Sequence, residues 1–239
     1  MTLEMQEGPG ESSICWETVE TVLLDMDGTL LDLHFDDYFW LEHVPRRYGE
    51  VHGIAPDQAR DRLLRTYRRY EGTLEWYSID FWSEQLGLDV AALKEEVRHL
   101  VAEQPEVRSF LRALREGGKR AVLVTNAHGK SLALKMRETR LNEELDGVVC
   151  AHDLGLPKED RGFWERLQSV EPFEPRTTVL IDDSLPVLRS AQAFGIRYLL
   201  AVERPNRRAP SRSVTEFPVL RSFGALAEEL RRTTGVERR

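Results

Sequence analysis

Leu23-Leu24-Asp25-Met26-Asp27-Gly28-Thr29-Leu30-Leu31-Asp32 sets two acids, at i and i+2, directly behind an apolar run. The run itself, Thr21-Val22-Leu23-Leu24, is β-branched and apolar. A short continuous run of this kind suits a strand buried on both faces of a parallel sheet. Side chains two apart on a strand share a face. Asp25 and Asp27 are therefore expected to open onto one space, with Met26 turned the other way into the core. Gly28 allows a sharp turn. Like charges this close either share a proton or hold a cation, and oxygen-only ligands select a hard ion such as Mg²⁺. The same residues also read as an ordinary acidic turn, with Asp27-Gly28 as a turn dipeptide. The choice between the two readings rests on the remainder of the chain.

Working outward, four more segments read as buried strands: AVLVTN (121–126), GVVCA (147–151), TVLIDD (178–183) and YLLAV (198–202). Helical patterns fall between them. VRSFLRALREGG places apolar residues at Val107, Phe110, Leu111 and Leu114 before Gly117 and Gly118. SLALKMRETRL, FWERLQSV and PVLRSAQAFG precede the third, fourth and fifth strands. Strands alternating with helices predict an α/β fold of the Rossmann-like kind, a parallel sheet with helices on both faces. Ligands of such sheets bind outside the carboxyl ends of the strands.

Residues 33–104 break this rhythm. They are charged, aromatic and helical in pattern, as in YFWLEHVPRRYGEV and IDFWSEQLGL, and read as a helical insertion after the first strand. The core is then 17–32 joined to 105–228, between a loose N-terminal tail (1–16) and a frayed C-terminal tail (229–239). The insertion's aromatics, Phe39, Trp40, Trp76, Tyr77, Phe81 and Trp82, are mostly expected in its own core, with a few facing a ligand. ERPNRRAPSRS (203–213) carries four arginines but reads as a solvated loop rather than a nucleic-acid patch.

A net charge of −8 disfavours non-specific binding to nucleic acid or anionic lipid. No apolar run approaches the roughly 20 residues of a membrane span. Cys15 and Cys150, the only cysteines, form neither a disulfide framework nor a zinc site and fit a reducing compartment. The first fifteen residues lack the basic and apolar regions of a signal peptide. These features together predict a cytoplasmic protein that contacts neither nucleic acid nor membrane; its oligomeric state is left open.

The residues that end the apolar runs carry the chemistry. Strand one ends in Asp25-Met26-Asp27, strand two in Thr125-Asn126, and strand four in Asp182-Asp183; LPKED, with Lys158, follows strand three. A parallel sheet gathers all of them along one edge. A carboxylate can attack phosphorus to give an aspartyl-phosphate. A second, two residues on, can protonate the leaving oxygen and then take a proton from water. The strand-four acids can hold Mg²⁺, while Thr125 and Lys158 can bind the phosphoryl oxygens. A lone Lys158 or Thr125 would be an ordinary surface lysine or strand-end hydroxyl. The ordered conjunction is what points to a site.

This ordered set, Asp25-Met26-Asp27-Gly28-Thr29, then Thr125, then Lys158, then Asp182-Asp183, resembles the four motifs of the haloacid-dehalogenase-like hydrolase superfamily over nearly the whole chain. The resemblance implies that the 33–104 insertion is an α-helical cap, that Asp25 is the nucleophile and that Asp27 is the general acid/base. It implies Mg²⁺ held by the side chain of Asp25, the backbone carbonyl of Asp27 and the Asp182-Asp183 pair, with Asp183, next to Ser184, favoured as the direct ligand. Thr29 and Asn126 join Thr125 and Lys158 as implied substrate-binding residues. Longer strings, DDYFW (36–40), TLEWY, WSEQLGLD (82–89), TNAH, PKED, IDDS and FGIRY, resemble a bacterial branch of purine 5′-nucleotidases. They imply a phosphomonoester substrate, a purine nucleoside monophosphate such as GMP or IMP.

Three other readings compete. A dehalogenase of the same fold lacks the acid found here at Asp27. A sugar-phosphate phosphatase or phosphomutase uses the same core residues. A phosphoryl-accepting receiver module carries its central aspartate at the end of strand three, where this chain has Cys150 and Ala151, and it has no large insertion after strand one.

Overall fold

A computed structural model describes residues 14–235; the expected tails at 1–13 and 236–239 lie outside the described residues. Six parallel strands run in the order β3-β2-β1-β4-β5-β6: β1 (Thr21–Leu24), β2 (Arg120–Thr125), β3 (Gly147–Cys150), β4 (Thr178–Asp182), β5 (Tyr198–Val202) and β6 (Val219–Leu220). β1 lies between β2 and β4, with Leu24 opposite Leu123 and Ile181, and all four of its residues are buried. Its side chains alternate between the layers. Val22 and Leu24 join one hydrophobic cluster, Leu23 the other. That is the double burial a continuous apolar run encodes.

The insertion between β1 and β2 is helical: α1 (His34–Tyr38), a π-turn (Phe39–His43), α2 (Val44–His52), α3 (Pro56–Tyr67), α4 (Leu74–Tyr77), α5 (Ile79–Leu86) and α6 (Val90–Glu96). It has a core of its own, built on Phe35, Phe39, Tyr67, Trp82 and Leu86. Side-chain caps start its later helices: Ser78 Oγ accepts from Phe81 N at 3.2 Å and Asp89 Oδ1 from Ala92 N at 2.9 Å. The core helices are α7 (Val107–Glu116), α8 (Gly129–Thr139), α9 (Ala151–Leu154), α10 (Phe163–Val170), α11 (Leu185–Phe194) and α12 (Phe223–Thr234). α7 and α12 cover one face through Phe110, Leu114, Phe223 and Leu230. α10 and α11 cover the other through Phe163, Trp164, Leu188 and Ala191.

Four expectations need correction. Ile14 and Trp16, assigned to a loose tail, are buried against the α7 side of the core; two apolar residues in a polar leader were enough to anchor it. Residues 229–234, assigned to a frayed tail, continue α12, where Leu230 is buried and Arg231 pairs with Glu116 at 3.2 Å. β3, read as buried, is an edge strand with Val148 exposed. The 203–213 loop is not merely solvated. Pro205 is buried, its carbonyl accepts from Gln104 Nε2 at 2.8 Å, and Arg207 Nε meets Asp32 Oδ2 at 2.6 Å.

Candidate active site

The site starts where β1 stops. Asp25 N donates to Ile181 O at 3.0 Å, carrying the pairing with β4 one residue past the strand. The chain then folds back: Leu31 N donates to Met26 O and Gly28 N to Leu31 O, each at 2.8 Å. Gly28 makes this possible with φ +82°, and a Cβ there would stand 2.8 Å from the Asp183 carboxyl carbon and 2.9 Å from Pro205 Cβ. The turn is therefore tight on two counts, backbone angle and space. Gly28→Ala is expected to destabilise the protein by about 1–2 kcal/mol from backbone strain alone and to displace Asp183. An unchanged unfolding midpoint in a thermal melt would contradict this.

Lys158, from the loop after α9, is 2 % exposed and occupies the centre. Its Nζ donates to Asp25 Oδ1 at 2.5 Å, Asp182 Oδ2 at 2.7 Å and Val124 O at 3.0 Å, using all three hydrogens. Asn126 holds the lysine's backbone: its Oδ1 accepts from Lys158 N at 2.9 Å, while its Nδ2 donates to Glu159 Oε2 at 2.9 Å. Tyr77 of the insertion donates to the other Glu159 oxygen at 2.6 Å. Thr125 Oγ1 accepts from Ala127 N at 3.0 Å at the end of β2. On β4, Asp182 Oδ1 accepts from Ser184 N at 2.8 Å. Arg212 Nη2 donates to the Asp183 backbone carbonyl at 2.7 Å, but among the described residues the Asp183 carboxylate accepts no hydrogen bond, and Arg212 Nη1 stands 4.0 Å from it.

The electrostatics match this crowding. Burial pushes the Asp25 carboxyl up to about 6 despite Lys158, with Asp182 adding to the rise. Asp27 is also pushed up to about 6, by burial first and then by Asp36 and Asp25, against Lys135. Asp182 is raised by burial against Lys158. Asp183 stands well above the usual carboxylate range through burial and then the charges of Asp25 and Asp182. Burial would lower Lys158, but Asp182 and Asp25 outweigh it and hold the ammonium charged. Carboxyls so placed favour a shared proton or a bound cation. Oxygens of Asp25, Asp182 and Asp183 lie within 4.8 Å of one another, an all-oxygen set of the type a hard divalent ion takes.

The ends of β1 and β4 and the loop after α9 thus bring Asp25, Asp182, Asp183 and Lys158 together, while Thr125 ends β2 with its hydroxyl on Ala127 N. Two expected substrate-binding residues are placed differently. Thr29 is fully buried, and its hydroxyl has no hydrogen-bond partner among the described residues. Asn126 spends its amide on Lys158 and Glu159, so it positions rather than reaches out. A cleft of about 1070 Å³ lies over the site, lined by Asp27, Asp183 and Ser184 of the core and by Trp40, Tyr67 and Trp76 of the insertion, among others. Lys135, Lys94 and Asp36 were not found by sequence reasoning. Lys135 Nζ donates to Asp27 Oδ1 and to Asp36 Oδ2, both at 2.6 Å, and Lys94 Nζ to Asp36 Oδ1 at 2.8 Å. The one signal for Lys135 is its place on the face of α8 that also buries Ser131 and Leu134.

Residues 19–195 match the haloacid dehalogenase-like hydrolase family. The chain belongs to that family. As a haloacid dehalogenase-like hydrolase it is an enzyme. It is 40 % identical over 218 residues to GMP/IMP nucleotidase YrfG of Escherichia coli strain K12, covering 91 % of this chain and 98 % of the relative. A phosphatase of the same family from Thermococcus onnurineus superposes with a TM-score of 0.72 at 25 % identity, over 92 % of this chain and 100 % of that one. L-2-haloacid dehalogenase of Xanthobacter autotrophicus shares the fold, with a TM-score of 0.59 at 16 % identity over 89 % and 98 % of the two chains. Among the described residues no helix is long and apolar enough to cross a membrane.

Proposed function

We propose that this hydrolase is a Mg²⁺-dependent phosphomonoesterase that works through an aspartyl-phosphate on Asp25, and that it is a 5′-nucleotidase for purine nucleoside monophosphates such as GMP and IMP. The observation that carries the reaction class is Asp25 at the end of β1, gripped by Lys158 at 2.5 Å and crowded by the oxygens of Asp182 and Asp183. Asp25 attacks phosphorus, and the nucleoside 5′-oxygen leaves with a proton from Asp27. Water then attacks the acyl phosphate and gives its proton to Asp27, which frees phosphate. Lys158 and Thr125 hold the phosphoryl oxygens. Bound Mg²⁺ supplies positive charge against those oxygens. Asp183 suits the direct metal position because no hydrogen bond from a described residue competes for its carboxylate; Asp25 and the Asp27 carbonyl complete the protein set, with Asp182 beside them. The cytoplasm belongs to the same reading, since Cys15 and Cys150 are both free thiols.

The purine assignment rests on the nucleotidase relative and on the cleft. Trp40, Tyr67 and Trp76 give a base an aromatic surface, and stacking accepts any base, so discrimination needs polar groups. GMP and IMP carry a 6-carbonyl and an N1–H where adenine has an amino group and a bare nitrogen. A site built for the first pair is expected to prefer GMP and IMP over AMP by at least tenfold, up to about 10⁴-fold if desolvated. The test is kcat/KM for GMP, IMP, AMP and a set of sugar phosphates under one Mg²⁺ condition. Equal values for AMP and GMP would remove the base readout. A sugar phosphate above both would replace the nucleotidase with a sugar phosphatase while leaving the phosphatase core standing.

A further inference from the structure

Lys135 is 1 % exposed and yet charged. It sits on α8, one helix removed from the strand-end motifs, and is not part of them. Its ammonium bridges Asp27, on the turn after β1, and Asp36, on α1 of the cap, with both contacts at 2.6 Å. Lys94 of α6, 3 % exposed, holds the second oxygen of Asp36. The two ammonium groups lie over cap aromatics, with Lys94 4.7 Å and Lys135 5.2 Å from the Phe35 ring centroid. Two lysines and two aspartates alternate, Lys94–Asp36–Lys135–Asp27, and their charges sum to zero. A buried chain of this kind is poor evidence for stability, because burying ions costs what their attraction returns. It does fix geometry, since each charge has its partner in one place. Asp27, Asp36 and Lys94 all line the cleft, but of the four only Asp27 lies on the turn at the end of β1, two residues after Asp25.

We propose that Lys135 is the positioning residue for the acid/base, and that the cap holds it in place through Asp36 and Lys94. The inference rests on the reading of Asp27 as general acid. With one carboxylate oxygen fixed by Lys135, the other oxygen is left to face the leaving group. The cap thereby contributes to the chemical step through Asp36 as well as lining the cleft. The DDYFW segment, singled out above by resemblance alone, gains a physical role in its first residue.

The test separates positioning from folding by leaving group. A nucleoside 5′-oxygen needs its proton, whereas nitrophenolate leaves nearly without one. General acid catalysis is worth roughly 10²–10⁴-fold, and misaimed acid should forfeit part of that. Lys135→Met is expected to lower kcat/KM for GMP about 10–100-fold and kcat/KM for p-nitrophenyl phosphate by no more than about threefold, because kcat/KM reports the transfer to Asp25, where only the nucleoside oxygen needs its proton, and not the acyl-phosphate hydrolysis that both substrates share. In the double variant Lys135→Met/Asp27→Asn, GMP turnover should match that of Asp27→Asn alone, since coupled groups are non-additive. Equal losses for both substrates, or additive losses in the double variant, would overturn the inference. If Asp27→Asn itself shows no dependence on leaving group, the general-acid reading fails first; if Asp27→Asn shows it and Lys135→Met does not, only the positioning role fails. Should Lys135→Met not fold, Asp36→Asn keeps the Lys135–Asp27 pair and removes the cap's hold. The same selective loss, smaller in size, is expected there, and a loss equal for both substrates counts against the proposal.

Discussion

Asp25→Asn is expected to reduce phosphate release by on the order of 10⁴-fold or more, the scale on which removing a nucleophile acts. The amide has nearly the volume of the carboxyl but cannot form an acyl phosphate. The loss should be the same for GMP and p-nitrophenyl phosphate, because both pass through the same attack. Folding should survive. Lys158 keeps Asp182 at 2.7 Å and Val124 O at 3.0 Å, and Asp25 is a carboxyl that burial already pushes up to about 6. Its ionised form is therefore a burden on the metal-free fold at neutral pH, and a neutral amide relieves that burden as it gives up one ion pair. A melting temperature within a few degrees of the parent, with no turnover on either substrate, is the expected pair of results. Full activity in the purified variant would remove Asp25 from the nucleophile's place.

Much of the core could be read in advance because its signals are local. β1, β2, β4 and β5 are continuous apolar runs, and a parallel sheet buried on both faces needs that pattern. The acids Asp25, Asp182 and Asp183 could be placed relative to one another because topology alone carries parallel strand ends to one edge. What escaped is what tertiary contact decides. β6 is two residues long, too short to have a period. Lys135 and Lys94 look like ordinary helix lysines, and only the packing of α8 and α6 against α1 turns them inward. Arg207 reads as a solvated charge in an arginine-rich loop, yet it meets Asp32 across 175 residues of sequence. Thr29 differs in the opposite direction: motif order offers it as a substrate ligand, and the structure buries it fully, with a hydroxyl that has no partner among the described residues.

Stripping divalent cations is expected to take turnover to background, with Mg²⁺ restoring it, and the same ion should report on stability without any substrate. A ligand that binds only the native state adds about 2.7 kcal/mol at a hundred times its Kd, which for a chain of this size raises the melting temperature by roughly 5–10 °C. Asp183→Ala should abolish both responses, because Asp183 is the cluster's carboxylate with no hydrogen bond to lose. The variant should also melt higher than the parent when both are metal-free. Asp183 is held well above the carboxylate range by burial and by the charges of Asp25 and Asp182. A carboxyl raised on folding binds its proton more tightly in the native state. Its ionisation therefore costs nothing below the unfolded value, and the cost grows as pH rises through the raised folded value. At neutral pH the metal-free parent bears that cost and the alanine variant does not. The two proteins should thus exchange order: variant above parent in chelator, parent above variant in saturating Mg²⁺. Undiminished turnover after exhaustive chelation, or a Mg²⁺ shift that survives in Asp183→Ala, would show that this carboxylate cluster does not hold the ion.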